Sequence, residues 1–307
     1  MKKFMYHWLK YGVMAVGAIA LGSCGQNIAV EPAQTPVVLT TFTVLADMTK
    51  NVAGDRWQVE SIPKPGVEIH SYEVTPQDLV RGQRASLILE NGLNLEKWAA
   101  RFYASLPQVR QVTLSEGITP IKIATDADRG KPNPHAWMSP RNALIYVENI
   151  QRALTAADPD HASTYAANSA AYRAKIKALD QRLRQAIAQI PSSQRYLVTC
   201  EGAFSYLAAD YGLTEIYLWP VNAEQQATAQ QVQRVIELVK QKQIPVVFCE
   251  STVNNQLQLQ VAKASNSRYG GTFYVDSLSG EDGAAPTYLR LLEHNVNLLI
   301  QGLAAGK

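Results

Sequence analysis

Between Asp158 and Pro191 the apolar residues Tyr165, Tyr172, Ile176, Leu179, Leu183, Ile187 and Ile190 recur at spacings of three, four and seven, the period that lines one face of an α-helix. Arg173, Lys175, Lys177, Asp180, Arg182 and Arg184 fall off that stripe, so the pattern predicts a helix resting on protein with its back to solvent. Its ends are marked. Asp158 suits an N-cap, Pro159 the first helical position and Pro191 a stop. At 1.5 Å per residue a helix over 158–191 reaches roughly 48 Å, more than one α/β layer needs, so the spacing predicts a connector between two lobes.

On both sides of this stretch the period changes to short apolar runs alternating with helical segments, the pattern of βα units and parallel sheets. Before it, strands are predicted at 37–44, 57–62, 86–90 and 112–114. Helices are predicted at 45–52, 76–84, 95–106 and from 140 to about 157, with Thr75 as N-cap ahead of Pro76 and Ser139-Pro140 opening the last. After it, strands at 196–199, 215–218, 245–248 and 272–275 alternate with helices at 204–211, 229–242, 256–264 and 288–303. Each half therefore carries about four strands, and the domain bounds are 37–157, 158–191 and 192–307.

Charge alters the picture only at the amino end. The formal net charge of +3 resides in Lys2, Lys3 and Lys10, since no acid precedes Glu31; the rest of the chain balances 26 basic against 26 acidic residues. That removes the compositional case for nucleic acid or a polybasic membrane surface. The basic start, the apolar run 13–21 and the small residues of Leu21-Gly22-Ser23-Cys24 predict an export signal over 1–23, because nine apolar residues are too few to span a bilayer. The tetrapeptide resembles a lipobox, which implies cleavage before Cys24 and its lipidation; plain secretion with cleavage nearby is the alternative. Either way the mature protein works outside the cytoplasm, periplasmic or at the cell surface. Residues 24–36, polar with two prolines, read as a flexible tether.

The chain has no G-x-S-x-G, P-loop, G-x-G-x-x-G or C-x-x-C. Open parallel sheets bind ligands beyond the carboxyl ends of their strands. Four polar residues fall there: His70 in the loop 63–73, His135 within Asn133-Pro134-His135-Ala136-Trp137, Glu201 after 196–200 and Asp276 after 273–275. Two imidazoles and two carboxylates, a pair from each half, would make a site for a divalent transition metal. Each has a plainer reading: a surface histidine, a stiff turn, a cap for the helix near Ala203, a turn with Ser277. His161 and His294 read as surface positions, and His7 leaves with the leader. Cys200 and Cys249 both end strands of the second half, so in an exported protein they are expected to form a disulfide, two buried thiols being the alternative.

The stretches 65–76 (Pro-Gly-Val-Glu-Ile-His-Ser-Tyr-Glu-Val-Thr-Pro), 91–96 (Asn-Gly-Leu-Asn-Leu-Glu), 134–140 (Pro-His-Ala-Trp-Met-Ser-Pro), 201–207 (Glu-Gly-Ala-Phe-Ser-Tyr-Leu) and Asp276-Ser277-Leu278 resemble, in order and spacing, the zinc/manganese class (cluster A-I) of solute-binding lipoproteins of ABC importers. The resemblance covers 37–307. It implies an α/β fold of two (β/α)4 lobes, each with a mainly parallel four-stranded sheet, linked by one long rigid helix, with the metal in the cleft. It places the ligands on His70, His135, Glu201 and Asp276. Zinc-specific members usually present a third histidine at the position of Glu201 and a histidine-rich loop where this chain has 122–133, which holds no histidine. Two carboxylates are harder donors than that set and favour manganese.

The expectation is thus a monomeric, lipid-anchored, extracytoplasmic receptor that captures Mn²⁺ and passes it to a membrane permease without covalent chemistry. Zinc or ferrous iron as cargo, a metallohydrolase with Glu201 as general base, and an adhesin are the competing readings. The stiff connector predicts little lobe movement on binding, and a disulfide beside Glu201 makes redox sensitivity of the site an open hypothesis.

Overall fold

The structure, a computed structural model, describes residues 35–125, 128–221 and 227–304. β1 (Val37–Thr40) and β3 (Ala85–Glu90) are almost wholly buried, the continuous apolar run that a sheet covered on both faces requires. They form the centre of a parallel sheet in the order β2-β1-β3-β4. The more polar β2 (Gln58–Ser61) and β4 (Arg110–Thr113) take the edges. The strand predicted over 37–44 stops at Thr40, because Thr43, Val44, Met48 and Val52 share the buried face of α1 (Thr43–Ala53). α2 (Pro76–Arg84) begins as predicted, in a capping box between Thr75 and Asp78. The helix predicted over 95–106 survives only as a 3₁₀ turn, Lys97–Ala99, and the short α3 (Ala100–Ala104). Leu93 and Asn94 ahead of it are in the left-handed region, and Glu96 spends its side chain on the backbone amides of Asn91 and Gly92.

α4 (Pro140–Ala157) ends at Asp158, a 3₁₀ turn follows over Pro159–His161, and α5 runs over Ala162–Ala188. Its 27 residues span roughly 40 Å. Asp158 turns the chain differently from the predicted N-cap: its carboxylate accepts from the Tyr165 hydroxyl and lies 2.8 Å from His161 Nδ1. The predicted apolar stripe of α5 is buried throughout, Ile190 beyond its end included. It packs on α1 and α4 on one side and on α9 (Tyr288–Ala304) on the other.

Beyond α5, two parallel two-stranded ladders stand side by side: β5 (Tyr196–Glu201) with β6 (Thr214–Trp219), and β7 (Val246–Glu250) with β8 (Arg268–Phe273). β5 and β7 are adjacent. α6 (Ser205–Tyr211), α7 (Ala229–Gln241) and α8 (Gln256–Ser265) cover them. β8 lies earlier than its predicted span of 272–275, hidden by Gly270 and Gly271. A Cβ on Gly270 would stand 2.4 Å from the Phe248 ring and 2.5 Å from Val246, so glycine is what lets this strand close on β7. The largest apolar cluster runs without a break from α1, β1 and β3 through α4 and α5 to β7 and α9. Two smaller clusters fill the outer layers of the two halves. No helix among the described residues is long and apolar enough to cross a membrane.

Candidate metal centre

His70 sits in a loop braced from within. The Glu68 carboxylate accepts from the amides of His70 (2.7 Å) and Ser71 (2.9 Å), and Trp98 Nε1 donates to Ile69 O. His135 opens the buried 3₁₀ turn Ala136–Met138. Its Nδ1 is 2.9 Å from Asn133 Oδ1. An amide oxygen can only accept, so Nδ1 carries the proton and Nε2 presents a lone pair to the cleft. The Asn133 amide nitrogen donates across to Gly202 O at 2.6 Å. Glu201 ends β5. Asp276 follows β8 by three residues, with Thr252 Oγ1 3.4 Å from its Oδ2. Trp137 ties the two sides together, its Nε1 donating to Val275 O and its carbonyl accepting from the Tyr288 hydroxyl.

The four residues converge. His70 Nε2 lies 3.2 Å from His135 Nε2, 3.5 Å from Glu201 Oε1 and 3.8 Å from Asp276 Oδ2. His135 Nε2 lies 3.7 Å from Glu201 Oε1 and 3.4 Å from Asp276 Oδ1. One donor atom from each residue lies within 4.8 Å of the others, close enough for a single small divalent cation, which bonds nitrogen and oxygen at about 2.0–2.3 Å. His70 keeps 6% of its side chain exposed and the other three none, so an ion here would exchange water for protein ligands. His70 also lines a pocket of about 50 Å³ together with Leu93, Asn94, Lys97 and Pro134. Burial drives the His70 imidazole below its ordinary value, opposed by the Asp276 charge. Burial would raise Asp276, but the His135 hydrogen bond and the charges of His70 and His135 outweigh it and hold that carboxyl low. A metal takes neutral imidazole and ionised carboxylate, and the downward shifts of His70 and Asp276 both run in that direction.

The plainer readings of the two acids do not hold locally. The start of α6 is served by Glu215, whose carboxylate accepts from Phe204 N (2.8 Å) and Ser205 Oγ (2.6 Å), leaving Glu201 directed to the histidines. Ser277 Oγ accepts from Gly66 N at 2.6 Å and donates to Leu278 O, and Asp276 points inward. Cys200 and Cys249 are disulfide-bonded, with Cα atoms 4.9 Å apart. His161 pairs with Asp158, and His294 Nε2 meets Thr272 O; neither reaches the cluster. Cys24 and the leader lie outside the described residues. Sequence reasoning missed Asn133 and Glu250. Asn133 stood two residues before His135, close enough to be tested as its orienting partner. Glu250 is fully buried, its Oε2 accepts from Glu201 N at 3.2 Å, and burial pushes it up to about 8.

Comparison with known proteins gives the same picture. Residues 38–302 match the family model described as zinc-uptake complex component A, periplasmic (ZnuA). The iron-binding protein YfeA of Yersinia pestis is 51% identical over 92% of this chain and 91% of its own. The manganese ABC transporter substrate-binding lipoprotein PsaA of Streptococcus pneumoniae is 34% identical, with 87% and 88% covered. The Mn-bound periplasmic metal-binding protein of Candidatus Liberibacter asiaticus superposes with a TM-score of 0.82 at 40% identity, over 87% of this chain and 99% of that one.

Proposed function

We propose that this chain, which belongs to the ZnuA family of periplasmic metal-uptake components, is the manganese receptor of its ABC importer. That it is a metal-binding component of such an importer and not an enzyme follows from the family itself; the metal, the ligands and the anchor are our reading. His70, His135, Glu201 and Asp276 hold the ion between the lobes. The observation that carries this is the convergence of their four donor atoms, drawn from both sides of α5, at spacings that fit one divalent cation. Two imidazoles and two carboxylates form a set with more oxygen than a structural zinc site uses, and each carboxylate can bind through both oxygens. The reading carries with it the division into a signal peptide (1–23), a tether (24–36) lipidated at Cys24, a first lobe (37–157), a linking helix region (158–191) and a second lobe (192–307). It places a monomer outside the cytoplasm, held to a membrane by lipid and delivering its cargo to a permease.

Ferrous iron is the second reading, supported by the 51% identical iron-binding protein of Yersinia pestis. Oxygen-rich sites take both ions, and the Irving–Williams order makes zinc the tightest of the three on isolated protein whatever the cargo. The test is therefore twofold. Protein purified without added metal is titrated in competition against Mn²⁺, Fe²⁺ and Zn²⁺, beside a His70→Ala, His135→Ala double variant. Loss of binding in the variant is expected, and unchanged binding sinks the assignment. Cellular accumulation of manganese and of iron with and without the gene then names the cargo.

A further inference from the structure

We infer that Glu250 and Gln258 are positioning residues of the metal site, setting the separation of Glu201 from Asp276 across a seam in the second lobe. The inference rests on the proposed function and concerns how that site discriminates between ions.

Glu201 and Asp276 do not stand on one continuous ladder. Glu201 ends β5 in the β5–β6 pair, and Asp276 follows β8 in the β7–β8 pair. The inner strands β5 and β7 are neighbours, yet among the described residues no backbone ladder joins them. Side chains stand in its place. The Gln258 amide, brought down from α8, donates to Phe248 O on β7 at 2.7 Å and reaches Val198 O on β5 at 3.4 Å. The Glu250 carboxylate, at the end of β7, accepts the amide of Glu201 itself at 3.2 Å. Both residues are buried. The Cys200–Cys249 bond pins the same seam at the carboxyl ends.

A ladder of repeated backbone bonds admits one register and one spacing. Hydrogen bonds of two side chains hold the strands at a spacing set by rotamer and reach, and that spacing passes directly to the two carboxylates. Gln258 Oε1 is buried without a hydrogen-bond partner, a cost that an apolar side chain of the same volume would not incur. Its amide donor therefore supplies what packing alone would not. Ions that differ in size and coordination number need different carboxylate spacings, so the seam is where preference is tuned.

The experiment replaces the amide by an isosteric apolar chain, Gln258→Met, and removes the acceptor toward Glu201 in Glu250→Met. Competition titration gives the ratio of Mn²⁺ to Zn²⁺ affinity, the electron paramagnetic resonance spectrum of bound Mn²⁺ reports its symmetry, and denaturation reports stability. Gln258→Met is expected to shift the affinity ratio by about tenfold or more, the scale on which residues supporting metal ligands act, with a changed Mn²⁺ spectrum. Glu250→Met is expected to move the ratio and the spectrum as well, and no change in either would remove Glu250 from the positioning role. If Gln258→Met lowers stability while leaving ratio and spectrum unchanged, the role is structural and the inference is overturned. If that variant does not fold, Gln258→Asn, too short to reach Phe248 O, is judged by the same two readouts. Failure of the proposed function shows separately, as parent protein that binds no metal or a double histidine variant that binds it fully.

Discussion

Glu96 is the acid whose protonation the fold most visibly alters away from the metal. Its carboxylate accepts from Thr41 Oγ1 at 2.7 Å and from the amides of Asn91 and Gly92. Burial raises it from 4.5 to about 7 in spite of those bonds, with Glu90 adding to the rise. A raised carboxyl contributes stability that is complete below the unfolded value and is lost as pH climbs through the folded one. The window is pH 4.5 to 7, and a shift of this size corresponds to about 3 kcal/mol. Glu96→Gln cannot titrate. Denaturant unfolding at pH 4.5 and pH 8 should therefore show the parent losing about 3 kcal/mol relative to the variant over that interval, and a constant difference would contradict the assignment. At this scale the metal cluster was legible because histidines and acids at strand ends stand out against apolar neighbours. Asn133, Glu250 and Gln258 were not, because a buried amide or acid looks the same in sequence as an exposed one until its partner's position is known.

Elements were legible where their period was long and undisturbed. The stripe of α5 needed no correction, whereas β8 was displaced by Gly270, whose absent side chain is itself the reason the strand packs, and the helix predicted after Leu95 gave way to the turn that Glu96 holds. Leu183 is wholly buried on α5 within the largest cluster. Leu183→Ala is expected to lower unfolding free energy by about 2–5 kcal/mol, read by denaturant midpoint, and a loss under about 1 kcal/mol would mean that α5 merely lies on the lobes. The disulfide closes a loop of 49 residues' separation, for which chain entropy gives about 4 kcal/mol of stabilisation. Reduction should lower stability by that order and alter metal affinity in the parent but not in Cys249→Ser. Equal affinity changes in both would remove any link between this bond and the site.

At the scale of the whole molecule the two halves are stitched as well as linked. Leu278 N donates to Thr43 Oγ1, Tyr206 OH to Asn133 O, and Trp137 Nε1 to Val275 O. With α5 packed on α1, α4 and α9, a wide hinge opening would break these bonds and uncover a continuous core. Small-angle scattering profiles of metal-free and metal-loaded protein are therefore expected to coincide, with change confined to side chains and loops around the ion. A large fall in radius of gyration on loading would show that the connector bends.

The amino end of α9 rests on the first helix of the fold, Tyr288 N donating to Asp47 Oδ2 at 3.0 Å. Among the described residues, the first helix along the chain is thus finished by the last. A chain that emerges amino end first carries α1 incompletely covered until α9 arrives, and domains that fold during synthesis do so from that same end. Closure of the α1 surface is therefore deferred until α9 is in place.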